Sequence, residues 1–115
     1  MNSPIILTLN LQDDSILLNE GVLNALDWPR QVQLLINQER KSLLLRACSV
    51  TDGQALVVPA DHVEQFEISG RSLLKKIRKL VGWEDDQRRM CLGEYLPTHQ
   101  AVCFDLTSAQ VVEFE

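Results

Sequence analysis

Near the start of the chain Ile5, Leu7, Leu9 and Leu11 alternate with Ile6, Thr8, Asn10 and Gln12. A period of two places one face of a β-strand in a core. The polar run Gln12-Asp13-Asp14-Ser15 predicts a turn, and Ile16-Leu17-Leu18 a second, shorter strand. At Asn19 the period changes. Val22, Leu23 and Leu26 recur at helical spacing, and the Asn19 side-chain oxygen is suited to accept from the free backbone N–H groups of a helix start. The spacing predicts a helix of about two turns, stopped by Pro29, which disfavours helical backbone in the residue before it.

Two apolar runs, 32–36 and 43–47, flank the polar stretch 37–42 and read as a hairpin. Their near-continuous apolar character predicts burial on both faces. Asp52-Gly53 signals a turn, followed by a strand over 55–58 that ends at Pro59. A further strand, 66–68, leads to Ser69 as helix N-cap. Leu73, Leu74, Ile77, Leu80 and Val81 then form a full apolar stripe, with Gly82 as the C-terminal stop. A second hairpin follows, 88–95 with 100–106, around Leu96-Pro97-Thr98-His99. Gly93 marks a bulge or a close approach within it, and the tail 107–115 holds a short strand at 111–114.

The pattern therefore runs twice. Ile16-Leu17-Leu18-Asn19 leads through a helix to Leu26-Asp27-Trp28, and Phe66-Glu67-Ile68-Ser69 leads through a longer one to Val81-Gly82-Trp83; a hairpin follows each tryptophan. The two tryptophans read as apolar plugs holding helix to sheet, with base stacking as the alternative. The expected architecture is α+β, one domain over residues 1–115. It holds a first repeat at about 4–48, a second at about 54–106 and a tail at 107–115.

Composition supports one shared core. The chain has 115 residues, 45% of them hydrophobic, enough for a single domain without a metal or disulfide staple. No Gly/Ser-rich or Pro-rich stretch separates the halves. Cys48, Cys91 and Cys103 are an odd set without C-x-x-C spacing, as expected of reduced thiols. With no signal-peptide pattern and no run of membrane-spanning length, the expected location is cytoplasmic, away from membranes.

The succession of strand, short helix with a leucine before its end, and two-stranded hairpin resembles the swapped-hairpin DNA-binding family of AbrB-like transition-state regulators and MazE-like antitoxins. The residues that carry the resemblance are Ile16-Leu17-Leu18, Leu26-Asp27-Trp28, and 32–36 with 43–46. In the second half they are 66–68, Leu80-Val81-Gly82-Trp83 and the hairpin of Cys91 and Phe104. The resemblance implies two β-β-α-β-β repeats in a pseudo-two-fold, barrel-like core with two helices, one chain supplying what is usually a dimer. It also implies a transcription-regulator or antitoxin-type role on double-stranded DNA. One departure bears on that role. Family members that bind DNA carry basic residues along the first strand and its turn, where this chain has Thr8, Asn10, Gln12, Asp13 and Asp14. Two carboxylates there repel phosphates.

Positive charge gathers instead on the second helix. Arg71, Lys75, Arg78 and Lys79 share about 100° of its circumference, with Lys76 at the edge, and Arg88 and Arg89 follow. Arg71, Lys75, Arg78, Lys79, Arg88 and Arg89 are thus the candidate phosphate contacts, in a chain of net charge −5, because local field rather than net charge governs docking. The alternative is a solvated amphipathic face, on a module that binds itself or another protein. Glu84-Asp85-Asp86 reads as a surface turn, or as a contact for magnesium or a basic partner. His62 and His99 lack ligand spacing, and Cys91 and Cys103 sit in strands, where cysteine acts as a small apolar residue. No P-loop, G-x-S-x-G or G-x-G-x-x-G occurs. The expectation is a non-enzymatic module without cofactor, metal or small-molecule ligand.

Overall fold

Alternation and capping produce the first three elements. In β1 (Ile6–Asn10) Leu7 and Leu9 are fully buried, and in β2 (Ser15–Asn19) so are Ile16 and Leu18. Asp14 turns the chain between them in left-handed backbone, φ 54°. Asn19 then does more than begin a helix. Its Oδ1 accepts from the Val22 amide (3.2 Å), capping α1 (Glu20–Ala25), and from the Ile6 amide (3.1 Å), while its Nδ2 donates to the Pro4 carbonyl (2.7 Å). One side chain therefore starts a helix and fastens the entry to β1. Asn19→Ala is expected to cost about 1–2 kcal/mol, the upper range for a lost cap, read by urea denaturation; Asn19→Asp keeps both acceptor bonds and is expected to cost less.

The computed structural model describes residues 4–48, 55–59, 61 and 64–112. Among these the remaining elements are β3 (Gln31–Asn37), β4 (Ser42–Ala47), β5 (Leu56–Val57), β6 (Gln65–Ser69), α2 (Arg71–Val81), β7 (Arg89–Leu96), β8 (Ala101–Asp105), a 3-10 turn (Leu106–Ser108) and β9 (Gln110–Val111). The expected turn at Asp52-Gly53, His62, and positions 113 and 114 of the expected tail strand lie outside the described residues. No helix among them is long and apolar enough to cross a membrane.

The fold is α+β: a curled half-barrel sheet with two helices. The strands run in the order β5-β3-β4-β8-β7-β1-β2-β6, every pairing antiparallel, with β9 added on β7. Both hairpins form, Val32 opposite Ala47 in the first and Leu96 opposite Ala101 in the second. β4 lies against β8 at the middle of the sheet, with Leu43 opposite Phe104 and Leu45 opposite Val102. These four, with Leu7, Leu9, Leu18, Val22, Leu23, Leu74 and Ile77, belong to one core drawn from both halves of the chain.

Three expectations need correction. Ser69 ends β6 and Gly70 takes the N-cap, without a side-chain bond. A Cβ on Gly70 would stand 2.8 Å from Ile16 Cδ1, so the helix enters close against β2, where a side chain would require Ile16 to shift. The first helix ends at Leu26, not at Pro29: Asp27 takes left-handed backbone (φ 58°) and the Trp28 amide donates back to the Leu23 carbonyl at 2.8 Å. Trp83 does the same to Arg78 at 3.1 Å, so both tryptophans sit at the same place in a Schellman-type closure. The hairpin strands β3 and β4 bury one face; on the other, Leu44 is half-buried and Leu35 is 39% exposed. Gly93 is a close approach, its amide donating to the Ile5 carbonyl at 2.9 Å.

Candidate binding surface on the second helix

An 11-residue helix with five apolar and five basic positions leaves few ways to divide its faces. Leu74 and Ile77 are fully buried, and Leu73, Leu80 and Val81 flank them half-buried. At 100° per residue Arg71, Lys75 and Lys79 point away from the core, Lys76 borders Leu80 and Leu73, and Arg78 borders the opposite edge near Leu74. α2 carries no carboxylate, and Arg71, Lys75, Lys76 and Lys79 are all exposed.

Two other cations of the set, Arg78 and Arg89, are held from within. Arg78 donates to the Asp86 carboxylate (2.6 Å), the Asp85 carbonyl (2.6 Å) and the Leu11 carbonyl (3.0 Å), tying α2 to the end of the first strand. Arg89 is 7% exposed. Its two terminal nitrogens donate to the two Asp85 oxygens at 2.8 and 2.9 Å, and its guanidinium lies 4.4 Å from the centre of the Trp83 ring. Arg88 is half-buried, and its carbonyl accepts from the Val112 amide at 2.8 Å. Asp85 and Asp86 of the acidic triplet therefore form a clip whose basic partners come from the same chain. Sequence reasoning saw both charge groups and missed their pairing, which depends on the turn after Gly82 folding back beneath the helix. The one available signal is that the acids of 84–86 are followed within the same short stretch by Arg88 and Arg89.

The Arg89 hydrogen bonds, then the Gln87 amide, hold the Asp85 carboxyl at about 2, below its ordinary 3.8. Above about pH 4 the carboxylate is charged in folded and unfolded chains alike, and the clip contributes fully. As pH falls from about 4 towards 2 the unfolded chain takes up the proton first, so this stability is lost. Asp85→Asn is expected to flatten the acid limb of stability over that window, measured by urea midpoints at stepped pH.

Between α2 and β3 runs a groove of about 680 Å³, with Leu34, Ile36, Leu73 and Leu80 among its lining and Lys76 and Lys79 on its rim. It continues, through Leu34, Leu73 and Lys76, into a hollow of about 440 Å³ reaching Leu56, Ile68 and Arg71. A shallow hollow of about 540 Å³, sharing Leu35, Ile36 and Gln38 with the groove, holds Leu44, Cys103 and His99. Cys91 lies elsewhere, 1% exposed, its thiol donating to the Asp105 carbonyl at 3.0 Å and its pKa pushed up by burial. Among the described residues no group of three or more His, Cys, Asp or Glu is placed to hold a metal ion. Comparison with protein-family models, curated proteins and solved structures finds no match for the chain.

Proposed function

We propose that this chain is a non-enzymatic, AbrB-like swapped-hairpin module in single-chain form, and that it works by binding another protein. The architecture is supported by register. The first hairpin's pairs Leu34–Leu45 and Ile36–Leu43 superpose on Gly93–Phe104 and Tyr95–Val102 of the second. On the same superposition Lys41 falls on Gln100, and both take left-handed backbone, at φ 51° and 48°. Strand exchange is supported by β1 lying on β7 while β5 lies on β3, so each half lends its first strand to the other half's hairpin. A pseudo-two-fold relating the halves accounts for β4 meeting β8 and β2 meeting β6.

The groove beside α2 carries the functional reading. An apolar floor left half-open between a helix and a strand is the form of a protein-docking site. The turn at which family members meet DNA holds Asp13 and Asp14 here, and two of the six candidate phosphate contacts, Arg78 and Arg89, are engaged by Asp85 and Asp86. One observation favours a second reading, contact with a nucleic-acid backbone: Arg71, Lys75, Lys76 and Lys79 stand exposed along one helix.

Two measurements separate the readings. Fluorescence anisotropy with a random-sequence duplex at low salt is expected to show no binding at tens of micromolar. Salt-dependent binding weakened by Lys75→Glu would instead establish the second reading. A photo-crosslinking residue at Gln38 on the groove, introduced in cells, is expected to give a discrete protein adduct that the same residue at Gln12 does not give.

A further inference from the structure

We infer that the groove between α2 and β3 receives an acidic amphipathic helix of about three turns from a partner protein. This rests on the protein-binding reading and names the partner's chemistry. Length comes first. α2 has 11 residues, about 16 Å at 1.5 Å per residue, or three turns, and the groove follows it from Leu73 to Leu80. Those two leucines are seven residues apart, two turns of helix, with Lys76 between them. A helix laid alongside meets them with its own apolar residues at the same seven-residue spacing, the seam of a coiled coil.

Charge decides the rest. Arg71, Lys76 and Lys79 rim the groove and its continuation, and α2 has no carboxylate to neutralise them. Arg78, the helix's other arginine, is turned to the opposite edge and held by Asp86. Among the described residues none of the three rim cations has an ion pair, which leaves them for groups brought from outside. A basic or neutral helix would fill the apolar floor and leave them uncompensated, whereas flanking glutamates answer them and select against basic segments. The Leu34 and Ile36 side of the groove adds apolar contact without a competing charge.

The test uses the whole protein and fluorescein-labelled helical peptides of about fourteen residues, which is long enough to cover α2. One carries leucines at heptad spacing flanked by glutamates, a second has lysines in place of the glutamates, and a third has the acidic composition scrambled. The acidic peptide is expected to bind at least about tenfold tighter than either control, a difference erased by Lys76→Glu with Lys79→Glu. Both positions are exposed, and a circular-dichroism melt of the double variant shows whether it folds. Equal binding of the three peptides, or indifference to the double substitution, overturns the inference. So does tighter association with phosphatidylglycerol vesicles than with the peptide, or a concentration-dependent dimer that the double substitution abolishes. If the peptides fail while the crosslink at Gln38 persists, the partner's chemistry is wrong and the protein-binding reading stands; if both fail, both fall.

Discussion

Phe104→Ala is expected to remove about 3–5 kcal/mol of unfolding free energy, the range for deleting a fully buried aromatic ring. Domains of this size keep only about 5–15 kcal/mol in total, so the variant sits near the edge of folding. The site cannot collapse to refill the space. Phe104 is fully buried in β8, between Leu43 of β4 on one side and Gly93 of β7 on the other. Continuous ladders on both sides hold these strands at fixed spacing. Urea denaturation checks the value, and a loss below about 1 kcal/mol would mean that the sheet closes over the cavity.

Gly93→Ala acts on the same place in the opposite sense. An added Cβ would stand 2.6 Å from Phe104 Cε1, 2.7 Å from Ile5 Cγ2 and 2.8 Å from Val102 Cγ1, so three side chains must give way together. Overpacking of this kind costs about 1–3 kcal/mol. The two positions are coupled, because the ring fills the space that the glycine leaves. With Phe104→Leu as background the Gly93→Ala penalty is expected to shrink by at least about 0.5 kcal/mol, the lower end for residues in contact. Thermal denaturation of the four members of the cycle reads that difference, and strict additivity would show that the ring is not what excludes the methyl.

Where local spacing decided the outcome, the sequence was readable. Leu7 and Leu9 alternate and are buried. Asn19 caps as its side chain allows, the two hairpins form around their polar turns, and Gly82 ends α2 in left-handed backbone, φ 78°. Where the outcome depended on a distant neighbour, it was not. Gly70 displaces Ser69 as N-cap because Ser69 is held in β6, opposite Ser15 of β2 far back in the chain. Leu35 and Leu44 look as buried as Leu43 and Leu45 in a run of apolar letters, and only the pairing of β4 with β8 shows which face turns inward.

The candidate site divides along the same line. Counting charge on a helical wheel finds the basic face of α2, and it also flags Lys76 at its border. It gives Arg78 and Lys75 equal standing, although one is held by Asp86 and two backbone carbonyls and the other is exposed. The groove escaped for a related reason. A five-position apolar stripe predicts a buried helix, but only Leu74 and Ile77 reach full burial, and the flanking Leu73 and Leu80 border open space because β3 stands away from them.

The pairing of β1 with β7 also sets the order in which this chain can fold. Leu7 meets Cys91 across the ladder, so β1 leaves the ribosome well before the strand it pairs with. At about 5–20 residues per second that interval is roughly 4–17 s. For its duration β1, with Leu7 and Leu9, has β2 on one edge and no partner on the other. Closing so long a loop brings no contact until late, which slows folding as other long-range sheets do. A nascent chain halted before residue 89 therefore leaves that edge of β1 unpaired.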